Sequence, residues 1–244
     1  MKTYIDYDDG WQFARELNLE MVDEHGYKSP EWYWEHLQRF DSYDRHSASV
    51  YLGEFAAHDI GRRNTLRSAL AEAAYMTALE RNGDVVRLAS YAPLLAKQRR
   101  TQWLPDLIYF DNTMIGLSIN YYVQQLFSTN AGDTYLPTNL ITEAASDVLA
   151  ASCVQESKTG DYILKLVNGA GMTIGTTIEL VSANEIDATA LCTVIHGESV
   201  AENVFGQSPA VEPNTGQIAV GRHFTYDAPA FSLSILRLRA SSRK

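Results

Sequence analysis

Three short stretches carry side chains able to do chemistry. In Val50-Tyr51-Leu52-Gly53-Glu54-Phe55-Ala56-Ala57-His58, a carboxylate stands at the end of an apolar run that reads as a β-strand. If that strand belongs to an α/β barrel, its C-terminal end is the active face and Glu54 is aimed at substrate. A strand-end acid also serves structurally, paired with an arginine or accepting backbone N–H bonds. In Val22-Asp23-Glu24-His25-Gly26-Tyr27, again at a strand end, His25 and Tyr27 are two residues apart. They therefore share one side of an extended chain, where both can hydrogen-bond a neighbouring carboxylate or a sugar hydroxyl. A lone histidine is equally a satisfied structural imidazole. The third stretch, Asp106-Leu107-Ile108-Tyr109-Phe110-Asp111-Asn112, reads by itself as a turn with two caps.

The surrounding pattern says what holds these residues. Residues 10–18 read as a short helix behind Asp8 and Asp9, and residues 19–25 as a strand. Ser29-Pro30-Glu31 is a helix start, with Ser at the N-cap, Pro at the first helical position and an acid in the first turn; that helix should reach about Phe40. Residues 49–55 read as a second strand. Asn64 reads as the cap of a helix with Leu66, Leu70, Ala73 and Thr77 on one face, stopped at Gly83. Residues 84–89 are the third strand, and residues 119–127 another helix. Strands alternating with helices imply a parallel sheet, but three strands cannot close a barrel that uses eight. After about residue 138 the pattern turns to strands: 162–167, 174–181, 190–195 and 231–238, with Gly, Asn and Pro turns between them. Asn168-Gly169 is a hairpin-type signal. The expected architecture is a partial α/β barrel over residues 1–135 and an antiparallel β-sandwich over residues 136–244.

Composition narrows the function classes. With 45% hydrophobic and 20% charged residues, the 244-residue chain can bury a full core. A net charge of -10 argues against nucleic acid or an anionic membrane as main partner. The basic stretches, Arg62-Arg63 and Lys97-Gln98-Arg99-Arg100, are short and read as solvated loops. No apolar run is long enough to span a bilayer. Residues 1–10 are polar and acidic and do not read as a signal peptide, and the compartment stays unassigned. Cys153 and Cys192 read as two buried thiols in strands, with a disulfide as the alternative. No metal-ligand spacing is present, and no cofactor is expected.

Taken together and in order, the segments resemble the family 51 α-L-arabinofuranosidases. The matching stretches are Val22 to His25, Lys28 to Trp32, Asp41 to Arg45, Tyr51 to Glu54, Ala69 to Ala74, Leu79 to Asn82, Ala89 to Pro93, Trp103 to Asn112, Asn120 to Gln124 and Leu126 to Ser128. The likeness is dense from about Asp9 to Asp133, thins afterwards, and returns at Glu202-Asn203 and Pro229 to Leu233.

The resemblance implies that the first part is about strands six to eight of a (β/α)₈ barrel. It implies that Glu54 is the nucleophile and that His25 and Tyr27 line the arabinose subsite. It expects an aromatic residue where Gly26 stands, which bears on the pocket wall, and commonly a proline at Ile119. The family's acid/base lies in a Gly-Asn-Glu motif that this sequence lacks; Asn184-Glu185 reads as a turn within the sandwich half. The implied function is a fragment of a retaining, exo-acting enzyme that releases terminal arabinofuranosyl residues from arabinose-containing oligo- or polysaccharides. The alternative is a catalytically inactive carbohydrate-binding or structural module. An incomplete barrel further implies self-association or a missing complementing half.

Overall fold

A computed structural model describes residues 7–141, 148–181 and 185–241. Residues 1–6 and Asn184, on which two sequence readings rest, lie outside these. The first helix α1 (Tyr7–Leu17) leads into a parallel three-stranded sheet of β1 (Met21–Lys28), β2 (Ser49–Ala57) and β3 (Val86–Tyr91), in that order. Between β1 and β2 lie α2 (Pro30–Glu35) and a 3₁₀ turn (Arg39–Ser42), so the single helix expected to reach Phe40 is broken after Glu35. Ser29 caps α2 as its sequence predicts, its Oγ accepting from Trp32 N at 3.3 Å.

Helix α3 (Leu66–Arg81) joins β2 to β3. Its N-cap is Thr65, whose hydroxyl accepts from Ser68 N, and not Asn64. Asn64 is instead buried, donating to Asn120 Oδ1 at 3.2 Å and accepting from the Tyr109 hydroxyl at 3.0 Å. Two further first-turn donors, Leu66 N and Arg67 N, go to the carbonyls of Ala201 and Ser199, far along the chain. The helix is also buried beyond the one face expected: Ala71, Glu72, Tyr75 and Leu79 are covered as well as Leu66, Leu70, Ala73 and Thr77. The cause is its position between two layers. One side packs on β2 and α2 in a core with Val50, Phe55 and Tyr33. The other joins α4 (Ile119–Thr129) against the second half of the chain. Alanines at 69, 71, 73, 74 and 78 permit this close approach on both sides. A small sheet of β4 (Leu95–Lys97), β5 (Ile108–Phe110) and β6 (Ile115–Leu117) precedes α4.

The second half is an antiparallel sandwich. Its six-stranded sheet runs in the order β12-β11-β14-β9-β8-β7 (Asn214–Ala219, Ile186–His196, Ser232–Ala240, Tyr162–Asn168, Leu149–Gln155, Thr134–Leu136). A two-stranded ribbon, β10 (Ile174–Glu179) with β13 (His223–Ala228), covers one face. Strand alternation decides which residues meet which layer. Ile163, Val167, Leu233 and Ile235 face α3 and α4, whereas Leu164, Leu236 and Leu238 face the ribbon. All seven residues of β9 are consequently buried. Lys165, wholly buried among them, reaches Glu80 of α3 with Nζ 2.7 Å from Oε1. Asn168-Gly169 does not make a hairpin: β9 and β10 belong to different sheets. The Asn168 side chain donates to the Met172 and Pro229 carbonyls and closes a loop between the layers. Cys153 and Cys192 are free and buried, in β8 and β11. Among the described residues no helix is long and apolar enough to cross a membrane.

Candidate active site

The parallel pairing of β1 and β2 places Asp23 opposite Tyr51, then His25 opposite Glu54, with Gly53 as the extra residue between them. This bulge decides which way Glu54 faces. Strand side chains alternate with period two, so Tyr51 and Gly53 would share the side of Asp23, and Glu54 would face the helices. One inserted residue resets the alternation and turns Glu54 to the side of His25 and Tyr27. Glycine is needed there, because a Cβ on Gly53 would run into the Asp23 carboxylate.

The three sequence-predicted residues therefore converge. The Tyr27 hydroxyl donates to Glu54 Oε2 at 2.6 Å, and His25 Nδ1 lies 3.4 Å from the same oxygen. His25 Nε2 is 3.2 Å from Asp23 Oδ2, so the imidazole bridges two carboxylates. Burial, reinforced by the bond to Glu54 and its negative charge, raises the Tyr27 pKa well above the ordinary phenol value. The phenol thus remains a donor throughout the working pH range. The Glu54 side chain is 42% exposed.

Two neighbouring acids, Glu24 and Glu72, are buried and held by other partners. Glu24 is buried and accepts from Trp11 Nε1, the Tyr43 hydroxyl and Arg39. Glu72, on α3, accepts from Ala57 N at 2.8 Å and so fixes the end of β2; burial pushes its pKa up to about 8. Gly26 alternates with His25 and Tyr27 and meets the Tyr33 hydroxyl instead of the site. The residue that departs from the family pattern is therefore not a wall of the pocket.

Sequence reasoning did not single out His58. It leaves β2 four residues after Glu54, and its ring stacks on Tyr27 at 5.2 Å between centroids. Burial, followed by the positive charge of Arg62, lowers its pKa, so the ring is neutral at physiological pH. The available signal was its place just beyond the strand end. Among the described residues no group of His, Cys, Asp and Glu is arranged to hold a metal ion.

The α-L-arabinofuranosidase C-terminal domain family matches the chain over residues 27–232. An extracellular exo-α-L-arabinofuranosidase of Streptomyces chartreusis is 50% identical over 136 residues, covering 56% of this chain and 16% of that protein. A probable α-L-arabinofuranosidase A of Aspergillus terreus is 34% identical over 219 residues, covering 88% of this chain and 33% of its own length. The chain thus spans a third or less of these relatives. Among solved structures, an arabinose-bound family 51 α-L-arabinofuranosidase superposes with a TM-score of 0.85 at 34% identity, covering 91% of this chain and 37% of that one. An arabinofuranosidase from Thermotoga maritima shares the fold, with a TM-score of 0.81 at 15% identity, over 96% of this chain and 56% of that one. By these matches the chain belongs to the α-L-arabinofuranosidase C-terminal domain family and corresponds to the C-terminal part of the family 51 enzymes.

Proposed function

We propose that this chain supplies the nucleophile half of a retaining, exo-acting α-L-arabinofuranosidase acting on arabinose-containing oligo- or polysaccharides. The observation that carries this reading is Glu54, half-exposed at a strand end and held by Tyr27 and His25. In a retaining mechanism one carboxylate attacks the anomeric carbon and forms a glycosyl-enzyme. A second carboxyl, ~5–5.5 Å away, protonates the leaving oxygen and then deprotonates water. Glu54 takes the first role. The Tyr27 hydroxyl donates to the attacking carboxylate and favours its ionised form. His25 is fixed by Asp23 and lines the arabinose subsite.

The second carboxyl comes from polypeptide outside this chain, since the sequence holds no Gly-Asn-Glu stretch. Its loss alone costs about 10²–10⁴-fold in rate, and loss of the remaining pocket wall costs more through positioning. The edges of β1 and β3, with Met21 and Leu88 exposed, are where the complementing strands pair. Without them, the same edges drive self-association.

The test measures hydrolysis of a nitrophenyl α-L-arabinofuranoside by this chain, by Glu54→Gln, and by each mixed with a polypeptide carrying the preceding barrel strands. Little turnover is expected from the chain alone, restoration on mixing, and none with Glu54→Gln in either setting. Turnover that survives Glu54→Gln would sink the reading. Light scattering provides a second check: a stable monomer at high concentration, unchanged by the added polypeptide, counts against the paired edges.

A further inference from the structure

The two basic stretches, far apart in sequence, meet. Arg62 and Arg63, in the loop after β2, and Gln98 and Arg99, after β4, line one cavity of about 760 Å³ together with Glu202 from the sandwich half. Arg63 is neutralised there by Glu202, Nη1 to Oε1 at 2.7 Å. Among the described residues neither Arg62 nor Arg99 has a carboxylate partner. Asp111, the other acid on the lining, accepts from the Thr113 hydroxyl and from Met114 N, which hold its position and keep it ionised. Three guanidinium groups against two carboxylates leave the cavity lining with an excess of positive charge, which runs against a chain of net charge -10.

Their backbones add an independent sign. Arg62 has φ 56° and Arg99 φ 61°, the left-handed region that glycine occupies freely and a bulky residue does not. Residues held in this region collect where ligands are clamped. The loop that carries Arg62 leaves the same end of β2 as Glu54, through His58, which stacks on Tyr27.

We propose that this cavity binds a uronate-bearing saccharide, with the carboxylate of one sugar unit held between Arg62 and Arg99. Planar guanidinium forks match a carboxylate through paired hydrogen bonds. Leu104, Tyr109 and Phe205 on the lining offer apolar surface to a sugar ring, and the Gln98 amide can serve its hydroxyls. Resting on the reading of Glu54 above, the bound unit lies on the leaving-group side of the cleaved bond. The substrate would then be an arabinosyl branch on an acidic backbone.

The test titrates the full chain calorimetrically with an oligogalacturonate, with a neutral arabino-oligosaccharide of equal length, and with inorganic phosphate. The oligogalacturonate should bind, more weakly as salt rises. Arg62→Gln/Arg99→Gln should lower its affinity about 10-fold or more and leave the neutral sugar unchanged. Arg62→Gly/Arg99→Gly should lose the same binding while its Tm stays equal or rises, because glycine fits both backbones; a merely structural pair of arginines would lower the Tm. Equal affinity in wild type and both variants overturns the site. Phosphate binding as tightly as the oligogalacturonate overturns the saccharide assignment. Glu54→Gln should not alter this binding. Arginine-dependent binding without Glu54-dependent turnover would therefore remove the proposed activity and leave the cavity, and the reverse result would remove only the cavity.

Discussion

Tyr27 and Glu54, on neighbouring parallel strands, are joined by a 2.6 Å hydrogen bond from phenol to carboxylate. Hydrogen bonds to charged groups contribute about 1.5–3 kcal/mol. Tyr27→Phe keeps the ring and its stack on His58 but removes the donor. In the complemented assembly it should lower Glu54-dependent turnover by about 10- to 100-fold, with little change in Tm. Rates equal to wild type would show that the bond does not assist the carboxylate.

Gly53 makes a sharper test of geometry. Gly53→Ala pushes a methyl group into Asp23, so either the bulge or the Asp23–His25 contact must move. Forced overpacking of this kind costs about 1–3 kcal/mol. The urea midpoint should fall accordingly, and turnover should fall further than for Tyr27→Phe, because Glu54 is re-aimed as well as His25 displaced. A variant with unchanged midpoint and rate would mean that the bulge does not orient Glu54.

Glu72 gives the fold a pH dependence of definite sign. Its pKa rises from 4.5 to about 8 on folding, because it is buried. Between those values the folded chain holds a proton that the unfolded chain has released, so stability declines as pH rises through that window. The decline should level off above about pH 8. Glu72→Gln still offers an oxygen to Ala57 N and does not titrate. Chemical denaturation from pH 4.5 to 8 should show a shallower slope for this variant; parallel curves would assign the pH dependence to other groups.

Much of this arrangement was legible in the sequence, and the failures have physical causes. Ser29-Pro30 announced α2 because capping is local chemistry. His25, Tyr27 and Glu54 were legible as polar residues at the ends of apolar strands. Their meeting depends on the bulge at Gly53, whose only trace in sequence is one glycine inside a strand pattern. Asn64 looked like a cap because asparagine commonly is one; the long-range bond from Tyr109 and the hydrogen bond to Asn120 placed it in the interior. Asn168-Gly169 looked like a hairpin because a dipeptide does not reveal which sheet the next strand joins. The arginine cavity was invisible for the same reason: its halves are distant in sequence and meet only through tertiary packing.

Lys165 and Glu80 link the two layers through a buried ion pair, with Glu80 also accepting from the Ser152 hydroxyl. Burial pulls the Lys165 pKa down, and Glu80 opposes that pull. Lys165→Ala leaves a cavity and an acid without its cation, and should cost about 3–5 kcal/mol. Lys165→Met combined with Glu80→Gln removes both charges and should recover most of that loss. A thermodynamic cycle over Lys165→Met, Glu80→Gln and their double measures the coupling; additive losses would mean that the pair contributes nothing as a pair.

The hydrogen bonds from Leu66 N and Arg67 N to Ala201 and Ser199 also set an order of events during synthesis. The neighbouring pair Arg63–Glu202 is 139 residues apart along the chain. Until these residues have been made, the Leu66 and Arg67 N–H groups are left to water and the second apolar side of α3 lacks part of its cover. At about 5–20 residues per second, the nascent parallel sheet waits many seconds with that side open. An apolar side left open for that interval makes a chain stalled before residue 202 prone to aggregation.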